Sequence, residues 1–300
     1  MTTNNGLLLV DKPQGLTSHD VVAKVRRILG ERRVGHAGTL DPMATGLLVL
    51  GVGPSTRLLR FAQSEVKRYS GAVLLGVATD SLDADGAVIG QAPVPTLSAH
   101  QMSTAAAAMC GTQYQTPPMV SAKKVGGTRL HELARQGIEV PREPREITVR
   151  VFDLTPSDDP AVWFFDVECT VGTYVRVLLS DFAQRIGTVG HLIELRRLSS
   201  GTHHVNDALT LRQIDEAVAA GSSPLRPPSH FVVHLERATL TVEQVTRMRR
   251  GQRLDIEQVV ASDELAAFDG AGELVGILRR REGQWQPELV MASSGDTAHG

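Results

Sequence analysis

Residues 35–53 read GHAGTLDPMATGLLVLGVG, and this stretch decides how the rest of the chain is interpreted. Its first half mixes glycine with polar residues and its second half is apolar, which predicts a shaped loop leading into a buried strand. Catalytic and binding groups concentrate in loops held on a rigid scaffold, so Asp41 in this loop is a candidate for chemistry. A structural alternative exists, because an Asp followed by Pro is also typical of a helix N-cap and first helical position. The local pattern leaves both interpretations open.

The composition is that of an ordinary globular protein. The chain has 300 residues, 42% of them hydrophobic and 21% charged, which suits one large domain with a smaller appendage, or two domains. No apolar run approaches the roughly 20 residues of a membrane span, and the first residues lack a signal-peptide pattern. We therefore expect a soluble, cytoplasmic protein with no membrane partner.

The cysteine and histidine content argues against disulfides and metals. Cys110 and Cys169 are the two cysteines, and both are expected to be buried as free thiols, as in a reducing compartment. The ten histidines form no HExxH pattern and the chain has no CxxC pair, so we expect no metal site and no cofactor.

The net charge of −2 conceals an asymmetry along the chain. Residues 1–150 hold 17 Lys and Arg against 12 Asp and Glu, whereas residues 151–300 hold 14 against 21. A local basic surface is what contacts with nucleic-acid phosphates require, although any single cluster is also compatible with a solvated helix face. The basic clusters of the first half are Lys24 with Arg26, Arg27, Arg32 and Arg33; Lys67 with Arg68; and Lys123, Lys124 and Arg129.

Several local patterns predict individual elements. Thr17 or Ser18 is expected to cap a helix that ends at Gly30. TDSLDADG at 79–86 resembles part of a calcium loop but lacks its first and last ligands, so it is interpreted as a polar hairpin turn. An irregular basic loop is predicted over 114–127, followed by a helix over 128–136, and Thr173 is predicted to cap a further helix.

The order of the predicted elements indicates the fold class. Strands outnumber helices and do not alternate regularly with them, which favours a mixed sheet with helices packed on it over a doubly wound fold. GSSPLRPPS at 221–229 is typical of a linker, and the strand-rich stretch after it is interpreted as a separate compact unit.

Six motifs in the same order resemble the TruB family of pseudouridine synthases. The GH-G-LDP-ATG-L signature of that family is matched at 35–47. The other matches are LLLVDKPQGLTSHD at 7–20, KRY at 67–69, SAKKVGGTRLHELARQG at 121–137, GTYVR at 172–176 and HLIELRRL at 191–198. Together the motifs span about the first 200 residues.

The resemblance implies an α+β fold, with a mixed, largely antiparallel central sheet flanked by helices and a small C-terminal β-rich, PUA-like domain. It implies a catalytic domain over 1–229 with an RNA-gripping insertion at about 71–137. The C-terminal RNA-binding-like domain is expected over 230–292, followed by a disordered tail at 293–300.

The resemblance also implies an activity, the isomerisation of uridine to pseudouridine at position 55 in the T-loop of tRNA. By similarity Asp41 is the catalytic carboxylate, and attack on carbon, stabilisation of charge on the sugar and proton removal are all open to it. Tyr69 resembles the residue that stacks on the uracil, and Arg176 is the expected ion-pair partner of Asp41. The remaining substrate-binding candidates are Tyr174 and Leu195 as pocket walls, His36 as the residue that stacks in the space left by flipped nucleotides, and Lys12 as a support or phosphate contact.

The expected partner is the T-arm of tRNA, with no guide RNA, and nothing demands more than a monomer. Two other hypotheses remain at this stage. One is an RNA-binding or RNA-folding factor without catalysis, which the intact set of Asp41, Tyr69 and Arg176 argues against. The other is the guide-RNA-dependent relative that acts on ribosomal RNA, which the long, turn-rich region at 71–137 argues against.

Overall fold

A computed structural model describes residues 4–62, 66–118, 124–125, 128–129, 140–256 and 262–292. The chain forms two main sheets. The first sheet has nine strands: β1 (Gly6–Lys12), β2 (Val34–His36), β3 (Thr45–Val52), β4 (Val66–Leu75), β7 (Gly111–Gln115), β10 (Arg145–Pro156), β11 (Val162–Thr170), β12 (Gly190–Ser200) and β13 (His203–His204). Their order is β1-β3-β12-β4-β11-β10-β7, with β2 paired to β3 and β13 paired to β12.

The smaller sheet lies in the C-terminal part and has the order β14-β15-β16-β17. Its strands are β14 (Glu236–Thr239), β15 (Glu264–Phe268), β16 (Leu274–Arg281) and β17 (Gln284–Val290). Two hairpins lie outside both sheets, β5 (Val77–Thr79) with β6 (Val88–Gln91), and β8 (Lys124–Val125) with β9 (Thr128–Arg129).

Five α-helices of 8 to 12 residues complete the described part: α1 (Ser18–Leu29), α2 (Ala99–Ala107), α3 (Val175–Arg185), α4 (Leu211–Ala219) and α5 (Val242–Arg249). The central sheet pairs its strands antiparallel except where β12 runs parallel to β3. Helices α2 and α3 pack over the half of the sheet that contains β4, β10 and β11, and α1 and α4 pack over the half that contains β1 and β3. The α+β prediction, with a mixed, largely antiparallel sheet and a β-rich C-terminal part, is therefore confirmed.

Local capping chemistry fixes the ends of α1. The Thr17 side chain accepts from the backbone N–H of Asp20, and Asp20 returns the bond to the backbone of Thr17, which closes a capping box. The helix ends at Gly30, whose φ of 62° is left-handed. Both ends of this helix were predicted correctly, because the signals that set them are local.

Other local predictions were wrong. Helix α3 follows Tyr174 as its N-cap residue and has no side-chain cap, so Thr173 does not cap it. Tyr114 and Gln115 belong to a strand at the sheet edge, Gly111–Gln115, and not to an irregular loop, because this strand finds β10 as a partner. Cys110 is exposed, while Cys169 is buried as expected.

The predicted helix at 128–136 begins with two residues that belong to strand β9, and its remainder lies outside the described residues. The same holds for most of the basic segment 121–137 and for the tail at 293–300. The hairpin predicted at 79–86 is confirmed as the turn between β5 and β6.

Candidate active site

Asp41 lies in the loop between β2 and β3. The backbone N–H of Ala44 donates to the carbonyl of Asp41 at 3.1 Å, so residues 41–44 form a tight turn that leads directly into β3. Residues 41–52 are all described and contain no helix, which means that the N-cap interpretation of Asp41 and Pro42 is wrong. The Asp41 side chain is 36% exposed, so a substrate can reach its carboxylate.

Two residues of the stretch 7–20, Lys12 and Ser18, hold this loop in place through hydrogen bonds to its backbone. The Lys12 ammonium is fully buried and donates to three backbone carbonyls, one of them that of Pro42 at 3.3 Å. The Ser18 hydroxyl accepts from the N–H of Leu40 at 2.9 Å and reaches the Leu40 carbonyl at 3.2 Å. Burial lowers the pKa of Lys12 to about 8. An enclosed ammonium of this kind supports the loop and does not have the exposed position of a phosphate contact.

Arg197 of β12 holds the other side of the loop. Its guanidinium is fully buried and donates to the carbonyls of Leu47 at 2.7 Å, Gly38 at 3.2 Å and Thr39 at 3.4 Å. The backbone of β12 also comes so close that a Cβ atom at Gly46 would lie 2.4 Å from the Arg197 carbonyl oxygen. Gly46 has a φ of +96°, so both space and conformation require glycine at this position.

The Arg176 guanidinium lies between two carboxylates. Its Nε is 3.0 Å from Oδ2 of Asp41, and its Nη1 is 3.1 Å from Oδ2 of Asp83. Nη1 also donates to the Ser81 carbonyl at 2.7 Å. Arg176 is only 3% exposed, and it enters the site because it is the second residue of α3. The sequence-based pairing of Arg176 with Asp41 is matched by this geometry, and the second carboxylate is new.

Asp83 was missed by the sequence analysis. It lies in the turn between β5 and β6 and is 4% exposed. The turn is fixed on β12 by the N–H of Leu192, which donates to the Leu82 carbonyl at 3.1 Å, and internally by Thr79, whose hydroxyl donates to the Asp83 carbonyl at 2.7 Å. Sequence alone does not distinguish Asp83 from the other acidic residues of TDSLDADG, because only the docking of the hairpin buries it.

These charges set the ionisation of Asp41. Burial raises the pKa of its carboxyl above the ordinary value of 3.8, and the neighbouring Asp83 carboxylate raises it further. Arg176 and Lys12 oppose both effects because their positive charges favour the ionised form. The site therefore holds Asp41 ion-paired, with a proton affinity higher than that of a surface aspartate.

A cavity of about 360 Å³ opens over Asp41. Its lining brings together five of the predicted site residues: Asp41, Tyr69, Tyr174, Arg176 and Leu195. They come from the loop between β2 and β3, from β4, from the start of α3 and from β12, which are distant from one another along the chain. Tyr69 is 8% exposed, and burial raises the pKa of its phenol, so the ring is neutral and presents an aromatic surface.

Gln115 is a second residue that the sequence analysis missed. Its side-chain amide accepts from the backbone N–H of Tyr174 at 2.7 Å and donates to the Tyr174 carbonyl at 3.1 Å. This two-way bond fixes the backbone of Tyr174, the N-cap residue of α3, at the cavity wall. No local signal predicts it, because Gln115 and Tyr174 are 59 positions apart.

His36 and Lys12 are not among the described residues that line the cavity. His36 ends β2 and is partly buried, and its ring meets that of His19 edge to face, with centroids 5.3 Å apart and planes at 85°. Burial and the neighbouring His19 lower the pKa of His36, so its imidazole is neutral at pH 7. It therefore offers a flat, uncharged ring outside the described lining of the cavity.

Within the described ranges, no cluster of His, Cys, Asp and Glu side chains is arranged to hold a metal ion. In the same part of the chain, no helix combines the length and the apolar character needed to cross a membrane.

Comparisons with known proteins give a consistent result. The family model for TruB family pseudouridylate synthase (N terminal domain) matches residues 26–175. The tRNA pseudouridine synthase B of Streptococcus gordonii is 40% identical over 292 residues, covering 95% of this chain and 99% of that protein. The protein of the same name from Opitutus terrae is 50% identical, covering 70% of this chain and 87% of that protein. The one from Arthrobacter is 38% identical, covering 97% of this chain and 98% of that protein.

Among solved structures, the Cbf5 of a Cbf5-Nop10-Gar1 complex is similar at a TM-score of 0.72 and 22% identity, covering 96% of this chain and 84% of that chain. An H/ACA RNP bound to a substrate RNA containing 2′-deoxyuridine includes a similar chain, with a TM-score of 0.73 and 20% identity. The match covers 97% of this chain and 86% of that chain. At these identities the likeness concerns the fold alone.

Proposed function

Because the chain belongs to the TruB family of pseudouridylate synthases, we propose that it isomerises uridine to pseudouridine in tRNA, and that its target is uridine 55 of the T-loop. The observation that carries the proposal is the cavity in which Asp41, its partner Arg176 and the aromatic surface of Tyr69 meet. A loop held by Lys12 and Arg197 presents Asp41 at a fixed position, as covalent or electrostatic catalysis requires.

The proposed reaction breaks the N-glycosidic bond, turns the uracil and joins its C5 atom to the same ribose carbon. An ionised carboxylate suits this chemistry because it can attack carbon, stabilise positive charge on the sugar or remove a proton without a cofactor. Arg176 favours the ionised form of Asp41 and holds one of its oxygens, which leaves the other oxygen for the substrate.

The uridine has to leave its stack to reach Asp41, so we propose base flipping into the cavity. Its volume of about 360 Å³ is at the lower end of the range for small-molecule pockets, which suits one nucleoside. Tyr69 would stack on the uracil, Tyr174 and Leu195 would form the walls, and His36 would stack on the vacated side. The neutral state of His36 supports a stacking role because a neutral ring loses less hydration on burial.

We further propose the domain division 1–229, with an insertion at about 71–137, and 230–292, with the tail 293–300 outside both. The separate hydrogen bonding of the sheet β14–β17 supports the division. A shared apolar cluster joins the two units, because Phe231 and Ile277 pack with Leu7 and Leu47 of the central sheet. The C-terminal unit is therefore proposed to act as a fixed extension of the catalytic domain that adds RNA-binding surface.

The activity test uses a T-arm hairpin labelled with tritium at C5 of the target uracil. Formation of the C5–C1′ bond displaces the C5 hydrogen as tritium. We expect the wild-type protein to release tritium from the hairpin without guide RNA, because we propose that it acts alone on tRNA, as a monomer in the cytoplasm. Asp41→Asn abolishes release and leaves hairpin affinity largely intact, while Asp85→Asn, an exposed carboxylate of the β5–β6 turn, serves as the matched control.

Absence of release by the wild-type protein on the bare hairpin contradicts the proposal and favours either a guide-dependent enzyme or a binding factor. Adding guide RNA then separates those two possibilities. Equal loss of activity and hairpin binding in Asp41→Asn would mean that the carboxylate shapes the site and does not react.

A further inference from the structure

Lys67 is a buried cation in the cavity that none of the roles above uses. It lies two residues before Tyr69 on β4, so both side chains are on the same face of the sheet. Lys67 is 8% exposed and lines the cavity together with Tyr69 and Asp41. A Cβ atom at Gly38 would lie 2.8 Å from its Nζ, so the ammonium lies against the loop between β2 and β3 that carries Asp41.

The other cations near the cavity already have their hydrogen-bond donors engaged by protein groups or are exposed to solvent. Arg176 is paired with two carboxylates, and Arg197 donates to three backbone carbonyls. Lys12 likewise donates to three carbonyls beneath the loop. Arg145 lines the cavity but is exposed, so solvent screens its charge. Lys67 is the buried cation of the lining that has no carboxylate partner among the described residues.

The proposed reaction creates negative charge inside this cavity. When the C1′–N1 bond breaks, its electron pair leaves with the uracil, which becomes an anion delocalised over N1 and the two carbonyl oxygens. The same pair later forms the C5–C1′ bond, and the C5 proton is then lost. The Asp41 carboxylate can stabilise positive charge on the sugar, but it repels the uracil anion. A positive charge is therefore needed on the side of the base.

We infer that Lys67 stabilises the uracil anion by donating from its ammonium to a uracil carbonyl oxygen while the base is detached from the ribose. It transfers no proton in this role, and the atoms and electrons of the reaction balance without it. The inference rests on the proposed function and adds a catalytic group to it.

The surroundings of Lys67 are consistent with that role. Burial and the neighbouring Arg197 lower its pKa to about 8, so most molecules carry the ammonium at pH 7. Strand pairing sets Cys169 directly opposite Lys67, and burial raises the pKa of this thiol to about 11, so the thiol stays neutral. The ammonium is therefore charged and weakly solvated, which makes it a stronger electrostatic partner than a surface lysine.

The test compares Lys67→Met with the wild type and with Arg150→Gln, which removes a positive charge from the exposed side of β10. Single-turnover tritium release gives the chemical step, and hairpin binding is measured separately. Lys67→Met is expected to lower the rate roughly 100-fold, as loss of one group that stabilises a reaction anion does, with little change in hairpin affinity. Arg150→Gln should react like the wild type.

A second substrate identifies what the ammonium stabilises. Fluorine at C5 withdraws electrons and stabilises the uracil anion, so the wild-type advantage over Lys67→Met should shrink on a 5-fluorouridine hairpin. Consumption of the 5-fluorouridine is followed by nuclease digestion and chromatography. An unchanged advantage overturns the inference, as does a loss that appears in hairpin affinity and leaves the rate intact, which would indicate a phosphate contact.

The pH profile is a third measurement. The value of kcat/KM reports groups of the free enzyme, so the wild type should lose activity as pH rises through about 8, where Lys67 gives up its proton. Lys67→Arg stays charged and should lack this decline whatever its absolute rate. Should the wild type release no tritium, the proposed function fails; should Lys67→Met match an active wild type, only the role of Lys67 fails.

Discussion

Asp83→Asn tests whether the second carboxylate on Arg176 contributes to the active site. The substitution keeps the shape of the side chain and removes one negative charge from a pair in which both partners are less than 5% exposed. An asparagine oxygen can still accept from Nη1 of Arg176, but the bond is no longer charge-assisted on both sides. Asp41 stays as an anionic partner of the guanidinium.

The expected loss of unfolding free energy follows from the burial of the ion pair and from the hydrogen bonds that Arg176 keeps in the variant. Removing one partner of a buried ion pair costs about 3–5 kcal/mol when the other charge is left unpaired. Arg176 keeps Asp41 and the Ser81 carbonyl, so we expect about 2 kcal/mol, close to one hydrogen bond to a charged group. In a chain of this size that lowers the unfolding temperature by roughly 3 °C.

The effect on the reaction should exceed the effect on stability. Loss of the Asp83 anchor frees the guanidinium to shift, and a displacement of about 1 Å at a catalytic group can cost 100-fold in rate. Asp83 also raises the pKa of Asp41, so the acid limb of the activity profile should move to lower pH in the variant. Both expectations concern the chemical step, and hairpin affinity should stay near that of the wild type.

Single-turnover tritium release across pH, thermal unfolding and hairpin binding together measure these effects. The matched control is Asp85→Asn, the same substitution two residues along the same turn on an exposed side chain. If Asp83→Asn and Asp85→Asn react at the same rate and share one acid limb, the ion-pair chain from Asp83 to Asp41 has no part in the chemistry.

Three other predictions follow from single contacts. Gln115→Ala removes both bonds to the Tyr174 backbone and should cost about 1–3 kcal/mol of unfolding free energy and lower kcat/KM; an unchanged melting curve would contradict this. Gly46→Ala places a Cβ atom 2.4 Å from a backbone oxygen and should prevent stable folding, seen as loss of soluble protein, whereas Gly90→Ala, which meets no atom within 4 Å, should fold normally. Asp41 must be ionised to react, and its pKa is raised, so wild-type kcat/KM should fall with decreasing pH through a midpoint above 3.8, and a profile that is flat down to pH 4 would be inconsistent with its role.

Local signals accounted for the parts of the site that depend on neighbours in sequence. The turn chemistry of GHAGTLDP predicted a shaped loop before a buried strand, and Thr17 and Gly30 predicted both ends of α1. The resemblance to the TruB family supplied Tyr69, Tyr174, Arg176 and Leu195, and all four line the same cavity as Asp41. These assignments needed only residue types at fixed spacing.

The predictions that failed concern choices between local structures of similar energy. Asp-Pro can start a helix or a turn, and the strand that follows at Thr45 selected the turn because it pairs with β1 and β12. Gly111–Gln115 lacks a strong strand pattern, and it became a strand because β10 offered unpaired backbone groups at the sheet edge.

The sequence by itself thus determined the family, the mixed sheet and the choice of Asp41 as the candidate carboxylate, because those are carried by motifs and by hydrophobic patterning. Only the tertiary structure decided that Asp83, Gln115 and Lys67 belong to the site. Each became important through burial next to a residue distant in the chain, and burial makes a charge or a hydrogen bond strong. The loop around Asp41 can therefore be predicted from sequence, whereas the charges that set the ionisation of Asp41 depend on the assembled fold.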